Sequence, residues 1–142
     1  VLVDHDHTEM TYAVALQMAT RFDQITLVTS RERIANDVSL INRQNILQRL
    51  FDQDIELICH VEPDSLDGLE EGQLIMKNVY NDRISELSDV VTVVHASSRV
   101  PNQHLLTPLR ANGLEVIPIG DCRAPRSLMA ATHEGYQVAN TL

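Results

Sequence analysis

Val1-Leu2-Val3-Asp4-His5-Asp6-His7-Thr8-Glu9-Met10 opens the stretch that decides the fold, and Ile25-Thr26-Leu27-Val28-Thr29 closes it. Val1 to Val3 is a short, β-branched apolar run and reads as a buried strand. Thr8 can cap a helix whose first turn carries Glu9. Met10, Ala13, Val14, Leu16, Met18 and Ala19 follow at helical spacing and carry that helix to about Phe22. Ile25–Thr29 is a second apolar run, and the short connection into it suits a right-handed βαβ crossover with parallel strands. The chain opens inside its first strand and without Met, so it is expected to be a piece of a longer protein.

Outward from that unit, a second helix is predicted from about Ser39 to Asp52, followed by a strand over Ile55–Val61. The pattern then changes. Gln73–Tyr80, a turn at Asn81–Asp82 and Arg83–Leu87 read as an antiparallel hairpin. Val90–His95 (VVTVVH) reads as a buried strand, and Thr107–Arg110 as a helical turn. Glu115–Ile119 reads as a final strand, with Pro118 placing it at an edge or bend. A last helix opens at Pro125 or Ser127 and runs to about Leu142. The expected class is α/β: a Rossmann-like parallel sheet (βαβαβ) with a small antiparallel β-meander insert and a returning C-terminal strand and helix.

The 142 residues suit one ordinary soluble globular domain. Net charge is −9, with Lys77 the single lysine, which argues against a nucleic-acid backbone as partner. Five Phe and Tyr rings without tryptophan make a base-stacking platform equally unpromising. No apolar run reaches the ~20 residues of a membrane span, and no leader is visible. Cys59 and Cys122 stand far apart, in no metal-ligand spacing, and read as reduced thiols of a cytoplasmic protein.

No glycine precedes Gly68. In a dinucleotide fold the three glycine positions after the first strand would fall here on Asp4, Asp6 and Glu9. Side chains there block close backbone approach, and their charges would face a diphosphate. Each such pair at ~4 Å costs about 4 kcal/mol at an effective dielectric near 20. NAD(P)H binding is therefore expected to be lost. Alternation along an extended segment lets at most two of Asp4, His5, Asp6 and His7 converge, so no metal site is expected and the turn reads as solvated. A phospho-receiver pocket, with Asp64 or Asp67 as acceptor, would need a lysine after a later parallel strand, whereas Lys77 lies in the hairpin. Arg31 and Arg33 follow the second strand, where an arginine can favour a 2′-phosphate. Without a phosphate loop they read as a surface turn. His133 reads as a helix-face residue, and no catalytic residue is assigned.

The tail Gly120-Asp121-Cys122-Arg123-Ala124-Pro125-Arg126-Ser127-Leu128-Met129 is the most informative stretch. Glycine lets a backbone pass close to a ligand, Asp at a strand end can accept a sugar hydroxyl, and a helix start offers open amides. A plain strand–turn–helix explains the same residues equally well.

The pattern G-D-C-R-A-P-R-S-L-M-A-A-T-H-E-G, Gly120 to Gly135, resembles the C-terminal flavin-type motif of the large NADH:flavin oxidoreductases of the old-yellow-enzyme class. That class includes 2,4-dienoyl-CoA reductase, trimethylamine and dimethylamine dehydrogenases, and N-methylproline demethylase-like proteins. Val3 to Tyr12 (VDHDHTEMTY) resembles the family's D-D-D-x-x-x-M-G-G turn. Val90 to Asn102 (VVTVVHASSRVPN) resembles its V-V-x-V-T-G-R-x-P-N segment, with Ala96, Ser97 and Ser98 where Thr-Gly is common. The resemblance implies a parent protein with an FMN-bearing barrel and a 4Fe-4S cluster, both outside this chain, and a C-terminal pair of nucleotide-type domains similar to those of glutathione reductase. Residues 1–100 would be the nested pyridine-nucleotide-type domain. Residues 101–142 would be a connector and the returning strand and helix of the flavin/ADP-type domain. By position, Gly120 and Asp121 would contact FAD or ADP, and Ser127, Leu128 and Met129 would supply helix-start amides. The expected partner is the rest of the parent chain. The missing glycines lean toward the dehydrogenase or demethylase branch, where the nested domain is largely scaffold.

Overall fold

In chain order the first unit, Val1–Ser98, runs β1 (Leu2–Asp4), α1 (Glu9–Met18), β2 (Thr26–Val28), α2 (Leu40–Phe51) and β3 (Glu56–Ile58). It continues with β4 (Val61–Ser65), β5 (Leu74–Asn78), β6 (Ile84–Leu87) and β7 (Val94–Ala96). The second unit, Arg99–Leu142, holds α3 (Leu106–Ala111), a 3-10 turn at Gly120–Cys122 and α4 (Leu128–Ala139). The computed structural model describes residues 1–36 and 38–141. Leu142, the expected end of the last helix, lies outside the described residues.

In the first unit β3, β2, β1 and β7 form a parallel sheet in that order, with β4, β5 and β6 in a separate antiparallel sheet. The architecture is the mixed α/β class read from the sequence. Parallel strands bury both faces, and side chains alternate between them. Leu27 accordingly packs with Leu2, Tyr12, Ala15 and Leu50, on the core shared with α1 and α2. Its neighbour Val28 packs with Val61, Leu74, Met76 and Val90, on the core beneath the antiparallel sheet. Fully burying one leucine such as Leu2 or Leu50 contributes about 1.5–3 kcal/mol.

Three strand expectations change. Ile55–Val61 does not run straight, because His60 takes a left-handed backbone (φ 65°) and turns the chain from β3 into β4. Val90–His95 is divided between the sheets. Val90 donates its amide to Gly72 O (2.8 Å) and fills the second core, Val91 is exposed, and the ladder to β1 begins only at Val94. Glu115–Ile119 forms no ladder. Its last residue is extended (φ −134°, ψ 161°), but a strand needs a neighbour, and none of the described residues pairs with it.

Among the described residues no helix is long and apolar enough to cross a membrane. Cys59 and Cys122 are free thiols, and burial pushes the Cys59 thiol up from its ordinary value.

Candidate functional site

In an open parallel sheet the ligand crevice lies beyond the carboxyl ends of the strands, where strand order reverses. Here that point falls between β1 and β7. Asp4, the last residue of β1, is fully buried, which corrects the reading of the whole turn as solvated. Its carboxylate accepts from the His7 amide (2.7 Å) and from the Tyr12 hydroxyl (2.9 Å). The Tyr12 oxygen in turn accepts from the Ala35 amide (2.7 Å). One phenol thus ties β1, α1 and the approach to α2 together. Burial pushes its pKa well above the ordinary tyrosine range.

The rest of the turn is equally occupied. His7 has a left-handed backbone (φ 56°), and its Nδ1 lies 3.3 Å from Asp4 Oδ2. Thr8 makes no side-chain cap. Its hydroxyl goes to the Asp6 carboxylate instead. Glu9 accepts from Asn42 Nδ2 (3.2 Å). Across the switch point the His5 amide donates to Ala96 O (3.0 Å), and the Ser98 hydroxyl donates to His5 O (3.1 Å). The His5 and His95 rings pack with centroids 4.7 Å apart and planes tilted by 45°, and burial, with His95 and His7 nearby, holds the His5 imidazole below its ordinary value.

Other candidates resolve plainly. No group of three or more His, Cys, Asp or Glu among the described residues could hold a metal. Lys77 lies on β5 in the antiparallel sheet, 4.0 Å from Asp64 and 3.5 Å from Asp82. Arg31 and Arg33 are exposed.

In the second unit the tail residues come together. Gly120 and Asp121 form the 3-10 turn, Ser127 is the N-cap of α4, and Leu128 and Met129 are its first two residues. Gly120 has φ +58°, and a Cβ there would stand 3.0 Å from the Ala131 Cβ, so the position is glycine for backbone and packing alike. Its amide donates to Glu134 Oε2 (2.8 Å), and the Ser127 hydroxyl accepts from the Ala130 amide (3.2 Å). Both groups are therefore engaged. The amides of Leu128 and Met129 open the helix and have no intrahelical acceptor. Asp121 is exposed. Asp121 and these two amides remain able to meet a sugar hydroxyl and a polar or anionic group.

Glu134 was not singled out from the sequence, yet it organises this turn. Its side chain is buried, and Oε1 takes Arg126 Nη2 and, at 3.6 Å, Arg123 Nη1. The available signal was its spacing. A carboxylate three residues past Ala131 falls on the small-residue face that packs against Gly120.

Three solved structures show what this fold is similar to. Histamine dehydrogenase from Rhizobium sp. 4-9 matches with TM-score 0.80 and 23% identity, over 99% of this chain and 22% of that one. 6-Hydroxypseudooxynicotine amine oxidase from Pseudomonas geniculata N1 matches with TM-score 0.80 and 20% identity, over 96% and 21%. 2-Naphthoyl-CoA reductase matches with TM-score 0.71 and 18% identity, over 99% and 20%. At 18–23% identity these likenesses show a shared fold. The chain spans about a fifth of their length. No protein-family model and no curated protein sequence matches it.

Proposed function

We propose that this chain is the C-terminal nucleotide-fold region of a flavin-dependent oxidoreductase of dehydrogenase, demethylase or enoate-reductase type. The observation that carries the reading is the match of nearly the whole chain to one part of three oxidoreductases, together with the Gly120–Gly135 motif. In this reading residues 1–100 are the nested pyridine-nucleotide-type domain, and residues 101–142 are the connector and returning part of the flavin/ADP-type domain. Glu115–Ile119 gains its ladder from the remainder of that domain's sheet. FMN and a 4Fe-4S cluster belong elsewhere in the parent protein, whose other domains are the partner, and the cytoplasm is its compartment.

The nested domain acts as scaffold. A dinucleotide needs bare backbone at the switch point, and this crossover offers a buried carboxylate already holding two donors, with His5 hydrogen-bonded to Ala96 and Ser98 beside it. The flavin/ADP contacts reduce to Asp121 and the Leu128 and Met129 amides, with Gly120 and Ser127 supporting them. The isolated chain is expected to be catalytically silent, because in this reading the FMN-bearing barrel lies elsewhere in the parent protein.

Fluorescence titration with NADH and NADPH should show no saturable binding up to millimolar concentration, and calorimetry with ADP and FAD should show weak uptake lost in Asp121→Ala. Submillimolar NADH binding overturns the scaffold assignment. Absence of any ADP or FAD uptake favours a domain that binds no nucleotide, a reading supported by the engaged Gly120 amide.

A further inference from the structure

Two arginines of this acidic chain meet on one carboxylate oxygen. Arg123 and Arg126 both approach Glu134 Oε1, whose side chain is 7% exposed, while Oε2 takes the Gly120 amide. The two guanidinium groups carry two positive charges against one negative. They stand beside the start of α4, whose first turn holds no acidic residue. Cations are disfavoured at a helix N-terminus, so nothing local offsets the second charge. Asp121, the nearest acid in sequence, makes no ion pair among the described residues. The arginine side chains remain 63% and 53% exposed.

Each guanidinium has five N–H donors in a rigid fork, and neither has a protein partner besides Glu134 among the described residues. Glu134 holds the Arg126 head by a hydrogen bond and keeps the Arg123 head within 3.6 Å, so both charges stand close together for a further acceptor. They border a groove along α4 that continues past Met129 and Ala130 to His133 and Gln137. Its floor is mostly apolar at the middle and polar at both ends.

We propose that this groove binds a phosphate-bearing small molecule, with the phosphate oxygens bridging Arg123 and Arg126 and the organic portion lying over Ala130 toward His133. Paired guanidinium forks match tetrahedral oxyanions in bidentate fashion. The inference shares Met129 and the turn before it with the flavin/ADP reading, but the two are tested apart: that reading by Asp121→Ala and this one by Arg123→Gln.

The test is a titration of the full 142-residue chain with inorganic pyrophosphate at constant ionic strength, followed by 1H–15N NMR. Saturable shifts should appear at the arginine Nε–H resonances and at the amides of Ala130 and His133. Arg123→Gln should weaken binding about tenfold or more, as expected for losing a charge-assisted contact, with the melting temperature unchanged. Arg110→Gln, whose arginine donates to Val116 O and makes no ion pair among the described residues, should bind like the parent. Arg123 touches Glu134 more distantly than hydrogen-bond range, so its variant tests the site even if Arg126→Gln does not fold. Absence of saturation, an unchanged affinity in Arg123→Gln, or equal binding of succinate each overturns the proposal. The first two would leave the arginines as counter-ions of Glu134 alone, and the third would make the site a carboxylate site.

Discussion

Tyr12 shows how one hydroxyl can fix a crossover. It donates to a buried carboxylate and accepts from a buried amide, and its ring fills the first core. Tyr12→Phe keeps the ring and strands both partners, so it should destabilise the chain by about 1–3 kcal/mol in urea denaturation. The same phenol sets an alkaline limit. Burial raises its folded pKa above the unfolded value near 10, so its contribution is whole below about pH 10 and is lost as pH climbs through the folded value. Unfolding midpoints measured across that range should fall for the parent chain and flatten in Tyr12→Phe. Sequence alone showed Asp4 as an acid at a strand end but not its burial. The partner that rescues a buried carboxylate is eight residues away on a helix, and composition carries no sign of it.

At the scale of elements, α4 and the Gly120 turn depend on close approach. Gly120→Ala combines a left-handed backbone with a 3.0 Å contact to Ala131. It should cost about 1–3 kcal/mol, read as faster hydrogen exchange of the Leu128–Ala139 amides. The helices and the first two strands were legible because their apolar spacing repeats over enough residues to declare a period. The breaks within apolar runs were not. Ile55–Val61 has one unbroken β-like pattern, and only the left-handed His60 divides it between two sheets. Histidine and aspartate tolerate that conformation, and among the described residues five of the six non-glycine positions with positive φ are His or Asp. Such residues inside or beside apolar runs were the available warning. The Asn81–Asp82 turn is legible because it falls between runs, and Asp82 there has φ 56°.

The two units differ in what holds them. Residues 1–98 contain both buried cores, whereas no apolar side chain among the described residues 99–141 is fully buried. Leu128, Met129 and Tyr136 are 86%, 81% and 70% exposed. A segment that small without a core cannot offset its conformational entropy. Expressed alone, residues 1–98 should unfold cooperatively by circular dichroism, and residues 99–142 should show no cooperative transition. A cooperative melt of the shorter piece would mean that the Glu134 network alone sustains it.

The buried carboxylate of Asp4 also has an evolutionary consequence. Replacing it with glycine, as a diphosphate-gripping turn requires, would orphan the Tyr12 hydroxyl and the His7 amide at once. A change of Asp4 to glycine alone would therefore weaken the fold. The polar plug therefore works as a ratchet, and descendants of this sequence should diversify around Asp4 and Tyr12 as a pair and not change either one alone.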